Sequence, residues 1–219
     1  GLFSNSVGGV ANDIYSPKPQ DTVVIPAGYP ASGSTLTNTN ILYWGKLDLS
    51  ARTTDTIVMT NNGIFNVCLG LTLGSGVTSW GGTGTIQPIG AGGNNIDFDV
   101  LGKSLSNTLT INAYTSNFRL LSAYTNSRVL AGAFNLAAGT IKLNGYTLTV
   151  TVASFTANSF TTARGINFAG GSIVCGGSNW NCSIMTGMTV TTDGTISLTN
   201  ATGKTFYGNS ASWGTINQG

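Results

Sequence analysis

Apolar and polar residues alternate one by one in several short stretches of this chain. In Thr147-Leu148-Thr149-Val150-Thr151-Val152 the apolar side chains fall on one side and the threonines on the other. Thr108-Leu109-Thr110-Ile111-Asn112, Met188-Thr189-Val190-Thr191 and Thr195-Ile196-Ser197-Leu198-Thr199 repeat the pattern. A period of two puts successive side chains on opposite faces of a strand, so each stretch reads as a half-buried strand of about five residues. Residues 21–26, Asp-Thr-Val-Val-Ile-Pro, read as the first strand. Helical signals are nearly missing: Glu is absent, Lys, Gln and Arg are scarce, and Thr, Val, Ile and Asn abound. Asn62-Gly63, Asn144-Gly145, Asp193-Gly194, Gly81-Gly82, Gly92-Gly93 and Gly170-Gly171 punctuate the strands, either as hairpin turns or as the corners of a solenoid.

An imperfect repeat decides between these readings. A Gly, then Thr or Ser, then Ile opens a short strand at Gly84, Gly139, Gly171, Gly194 and Gly214. Coils of about 20 to 30 residues fit a β-solenoid, in which each coil buries its apolar residues on its neighbours. The expectation is an all-β fold, a single-stranded right-handed parallel β-helix over residues 21–219, with a β-sandwich as the alternative. Residues 1–20 carry Pro17 and Pro19 and no alternation, and read as an arm or cap over the open end of the solenoid.

Composition narrows the function classes. Charged residues make up 7% of 219, far below the usual quarter, yet the apolar share is 41% and the net charge +2, so a folded chain is expected. No apolar run approaches the length of about 18 residues that a membrane-spanning helix requires. The nine Lys and Arg are scattered singly, so no nucleic-acid partner is expected. The opening Gly1-Leu2-Phe3-Ser4 has neither an initiator Met nor a basic start, and reads as a processed product or one piece of a longer protein. His and Glu are absent, which leaves Asp, Lys, Tyr and Cys for proton transfer and no imidazole to activate a serine.

Pro19-Gln20-Asp21-Thr22-Val23-Val24-Ile25-Pro26-Ala27-Gly28, followed by Gly45-Lys46-Leu47-Asp48-Leu49, resembles the first coils of secreted and phage-borne right-handed β-helix proteins. Over residues 150–219, Arg164-Gly165-Ile166-Asn167-Phe168, Gly171-Ser172-Ile173, Asn179-Trp180-Asn181, Gly194-Thr195-Ile196-Ser197-Leu198 and Lys204-Thr205-Phe206-Tyr207-Gly208 are similar to a coil pattern of bacteriophage tail-fibre and virion-surface proteins. Residues 90–135 match no pattern. The resemblance implies a non-catalytic virion component, a tail fibre, spike or decoration protein, that is homotrimeric, sits among other virion proteins and touches host surface glycans. A secreted adhesin or filament subunit and a polysaccharide-degrading β-helix enzyme are the alternatives.

Candidate chemistry is sparse. Asp97 and Asp99 share a strand face about 7 Å apart. With Asn94 and Asn95 beside them they are the candidate metal holders, and the only close carboxylate pair for glycoside chemistry. The other reading of the pair is a solvated outer face with Ile96, Phe98 and Val100 turned inward. Trp80, Trp180, Tyr207 and Trp213 lie in or beside Gly- and Asn-rich turns and are the candidate ligand-binding residues; the alternative is that they fill the solenoid interior. Cys175 and Cys182 either close a small loop or join Cys68 as small core residues. Two Asn-x-Ser/Thr sequons, at Asn181 and Asn200, and the Thr ladders complete the inventory. The expectation is a protein of a virion surface or another extracellular setting, without a cofactor and without enzymatic activity.

Overall fold

The computed structural model describes residues 17–90, 92–128, 134–151, 154–157, 162–177, 179–182, 187–199, 203, 205–208 and 212–218. Of the expected arm at residues 1–20, only residues 17–20 fall among them. The described regular structure is all strand, and each strand pairs in parallel with its counterpart one coil on. A parallel pair cannot be closed by a two-residue hairpin, so Asn62-Gly63, Asn144-Gly145 and Asp193-Gly194 are corners. The chain is a β-solenoid, the expected parallel β-helix.

Each coil runs through three faces. Face 1 holds the first halves of β3 (Ile41–Leu49), β5 (Ile64–Leu73), β10 (Thr108–Leu120) and β12 (Phe134–Lys142), with β7 (Thr85–Pro88), β14 (Phe155–Thr156), β17 (Asn179–Asn181) and β20 (Thr205–Tyr207). Face 2 holds the second halves of those long strands, with β1 (Thr22–Val24), β8 (Asn95–Asp99), β15 (Arg164–Asn167) and β18 (Met188–Val190). Face 3 is a nine-stranded sheet in chain order: β2 (Ser34–Asn38), β4 (Ile57–Asn61), β6 (Val77–Gly81), β9 (Ser104–Leu105), β11 (Tyr124–Asn126), β13 (Thr147–Val150), β16 (Ser172–Cys175), β19 (Thr195–Leu198) and β21 (Thr215–Gln218). The strands foreseen from residues 108, 147, 188 and 195 are β10, β13, β18 and β19.

Only part of the sequence repeat is structural. Ser172, Thr195 and Thr215 stack on one another in face 3, one on each of three successive rungs. Thr85 instead lies on face 1 and Thr140 on face 2. The Gly-Thr-Ile signature marks any strand that leaves a corner and turns an Ile inward, whichever face it enters. The coil that precedes Ser172 is found through Thr147, its pairing partner on β13, which has no such signature.

In-register stacking turns every inward position into a column. Face 1 contributes Leu42, Phe65, Ile86, Leu109, Phe134, Phe155, Trp180 and Phe206. Its last four rings form a continuous pile, with centroids 5.0, 4.1 and 5.9 Å apart. Trp213 closes that end edge-on against Trp180 and Phe206, and its Nε1 donates to the Gly208 carbonyl at 2.9 Å. Face 2 contributes the column Val23, Leu47, Leu71, Phe98 and Leu120. Where face 3 turns into face 1, buried asparagines hold the corner. Asn38 donates to the Asn61 side chain, Asn61 to the Thr85 carbonyl, Asn107 to the carbonyls of Asn61 and Gly84, and Asn126 to the Asn107 carbonyl, at 2.8 to 3.1 Å. These amides add a side-chain donor to corner carbonyls, two of which, those of Asn61 and Gly84, also accept a backbone amide.

Candidate functional site

Pleating sets what each face shows to solvent, because side chains that alternate with the core columns must point out. On face 2 one outward row runs Lys46, Gly70, Asp97, Arg119, Lys142 and Asn167, and a second runs Asp48, Thr72 and Asp99. Asp97 and Asp99 therefore sit half-exposed on the outside, with Ile96, Phe98 and Val100 fully buried behind them. The Asp97 carboxylate is held by the fork of Arg119: Nε donates to Oδ1 and Nη2 to Oδ2, both at 2.7 Å. Asn95 accepts from the Asn117 side chain at 3.0 Å, and the Asn94 carbonyl accepts from the Asn117 amide. Asp97 and Asn95, nominated from sequence together with Asp99, are thus spent on the next rung, and a cation here would have to take Asp97 from a guanidinium. Sequence alone gave no sign of Arg119, which is distant along the chain and lies beside Asp97 only because β10 forms the next rung. No group of three or more metal-ligating side chains occurs among the described residues.

Asp48, Asp55 and Asp193 are also engaged. Burial pushes the Asp48 carboxyl up, but hydrogen bonds from Ser50 and from Lys46 at 3.0 Å outweigh it and hold it below its ordinary range. The Gly28 amide at 2.7 Å, with Arg52 beside it, lowers Asp55. Arg52 itself is fully buried and donates to the Pro30 carbonyl at 2.7 Å, pinning the corner before β2. The Thr191 hydroxyl at 2.7 Å, aided by the Gly170 amide, lowers Asp193.

Three of the four aromatic candidates are corrected by their position. Trp80, Trp180 and Trp213 lie inside the solenoid, at most 4% exposed. Flanking Gly and Asn made them look like surface residues, but Asn179 and Asn181 alternate outward on β17 while Trp180 turns inward, Trp80 fills an inward column of face 3, and Trp213 closes the end of the aromatic pile. Tyr207 alone is exposed, at 50%. The sequence reading missed Tyr43, although Leu42 and Trp44 on either side of it signal an outward position. Tyr29, Tyr114 and Tyr146 are likewise exposed at corners. Cys175 and Cys182 are buried on different faces, and burial pushes both thiols up. Beside Cys182 the buried Arg164 donates to the Ala157 carbonyl, and desolvation lowers its pKa. Of the two sequons, Asn181 lies on β17 and Asn200 lies outside the described residues.

Charge is sorted by face. The outward charged strand residues, Lys46, Asp48, Asp97, Asp99, Arg119 and Lys142, all lie on face 2. The described strand segments of faces 1 and 3 carry none. Face 3 instead shows rows rich in hydroxyls, one column running Thr35, Val58, Ser79, Ser104, Thr125 and Thr149 with Val58 its one apolar member. A groove of about 540 Å³ crosses this face where β9 shortens the sheet, lined by Thr60, Ser79, Ser104, Ser106 and Ser127 with Lys103 at its edge. Gly81 forms its floor: a Cβ there would lie 2.8 Å from the Ser106 hydroxyl. No family model matches this chain, and comparison with curated proteins and with solved structures gives no match either.

Proposed function

We propose that this β-solenoid is a non-catalytic structural component of a phage virion, a tail-fibre, spike or decoration segment, that assembles with copies of itself and with other virion proteins. One observation supports the non-catalytic reading: Asp48, Asp55 and Asp193 are held toward their ionised form, and the Asp97 carboxylate is paired with a guanidinium. A general acid for glycoside cleavage must hold a proton near neutral pH, which requires a carboxyl pKa raised by burial or by a like charge. Asp48, Asp55 and Asp193 are shifted the other way, and Asp97 is locked to Arg119. The rung beside Asp99 carries Thr72 in place of a second carboxylate.

A host surface glycan would be met at the groove of face 3, whose hydroxyls both donate and accept toward sugar hydroxyls. The test is incubation with a panel of bacterial surface glycans, read for new reducing ends and for retained sugar. No new ends are expected. Turnover that vanishes in Asp99→Asn would overturn the proposal. Retention lost in the Ser79→Ala, Ser104→Ala double variant would assign the contact to the groove.

A further inference from the structure

We infer that face 1 is the surface on which a second copy of this chain docks, face 1 against face 1. The inference rests on the reading of the chain as an assembly component and names the surface that does the assembling. Charge sorting supplies the first reason. Six charged side chains project from face 2, and removing them from water is unfavourable for each ion left unpaired. Face 2 therefore stays wet, and the charge-free faces 1 and 3 are the ones that can be covered without burying an ion.

Exposed apolar surface separates those two. Face 1 carries Ile41 at 59%, Tyr43 at 51%, Ile64 at 36% and Tyr207 at 50% exposure. Ile41 and Ile64 are stacked partners and Tyr43 lies two residues along β3, so the three form one patch near the N-terminal end of the face. The outward rows of face 3 are mainly Thr and Ser, which lose little by staying hydrated. Interface cores are depleted in charge and enriched in aromatic residues, the description that face 1 fits.

The occupant follows from the rest of the row. Beyond Tyr43, and past the buried Asn66 whose amide is bonded to the Leu42 carbonyl, it continues through Gln87, then Thr110, Asn135, Thr156, Asn181 and finally Tyr207. Amides and hydroxyls each donate and accept, so a ladder of them complements an identical ladder. A two-fold homodimer needs such a self-complementary patch. An acidic or basic partner would find no opposite charge here.

Light scattering across a concentration series tests this. The wild-type chain is expected at a multiple of 22.4 kDa. The double variant Thr110→Lys, Thr156→Lys, which adds like charges to face 1, is expected to dissociate to monomer. Thr125→Lys with Thr149→Lys, the same charges on face 3, should leave the mass unchanged. Because lysines in a strand can impair folding, Tyr43→Ser with Ile64→Thr serves as a second face-1 variant, expected to weaken association at least tenfold while keeping the β-sheet circular dichroism. A monomeric wild type, dissociation caused by the face-3 lysines, or association unmoved by both face-1 variants would each overturn the inference. A monomeric wild type would overturn the self-assembly reading as well, whereas an oligomer unmoved by the face-1 variants would overturn only the choice of face.

Discussion

Trp180 is the residue on which the C-terminal half of the core converges. It stacks on Phe155 at 4.1 Å with an interplanar angle of 7°, faces Phe206 on its other side and meets Trp213 edge-on. Trp180→Ala is expected to cost about 3–5 kcal/mol, because the fixed rungs on either side cannot collapse into the hole. A urea midpoint that barely moves would contradict this. Titrating side chains set a second expectation. Asp48, Asp55 and Asp193 have lowered folded-state pKa values, so each contributes stability above about pH 4, the unfolded value, and loses it as pH falls through the folded one. Cys175 and Cys182 are shifted up, so their contribution is complete below about pH 8.5 and is lost as pH rises further. Urea midpoints should therefore form a plateau between about pH 5 and 8 and drop on both sides. A midpoint at pH 3 equal to that at pH 7 would rule out the carboxylate half of this account. At this scale the sequence was readable where alternation was clean and misleading where it was interrupted. The inward turn of Ile96, Phe98 and Val100 follows from period two alone, whereas the burial of Trp80 and Trp213 depends on which way a Gly-flanked corner swings.

Among the elements, the long strands show how one run of sequence serves two faces. β3 pairs in register along Ile41–Trp44, skips at Gly45 and resumes from Lys46 on the next face. The skip is a bend, and the chain before β1 passes directly beneath it: a Cβ on Gly45 would lie 2.5 Å from the Asp21 carbonyl oxygen and 2.8 Å from that of Pro19. Gly45→Ala is expected to destabilise by about 1–3 kcal/mol through this overlap, seen as a lower thermal midpoint. An unchanged midpoint would mean that the preceding segment yields freely. Gly139 serves the same bend in β12, where a φ of 87° favours glycine. Such bends explain why residues 90–135 matched no coil pattern, although single strands within them were legible. β10 is long and changes face midway, with register shifts around Asn112, so its alternation slips phase within one strand. The very short β9 leaves too little alternation to recognise. Pairing partners a full coil apart were equally hidden, because polar ladders of Asn, Thr and Ser do not reveal which rung they join.

For the molecule as a whole, the solenoid distributes stability evenly along its axis, since each rung touches only the rung before and the rung after. Sequence conveyed the class of fold through alternation and the coil length. It did not convey the sorting of charge onto face 2, which appears only when residues as distant as Lys46, Asp97 and Lys142 are wound into one outward row. The same winding has a mechanical consequence. The hydrogen bonds between rungs run along the axis, and β1 and β21 belong to opposite ends of the stack. Tension applied through those two strands therefore loads one seam at a time, as in opening a zip fastener, instead of shearing many bonds together. Stretching a single molecule by its ends should give a low, repeating sawtooth. Each tooth should release one coil, such as that from Thr85 to its partner Thr108, or about 8 nm of extended chain. One tall rupture that frees the whole length at once would show that the rungs yield together and that the seams are not independent.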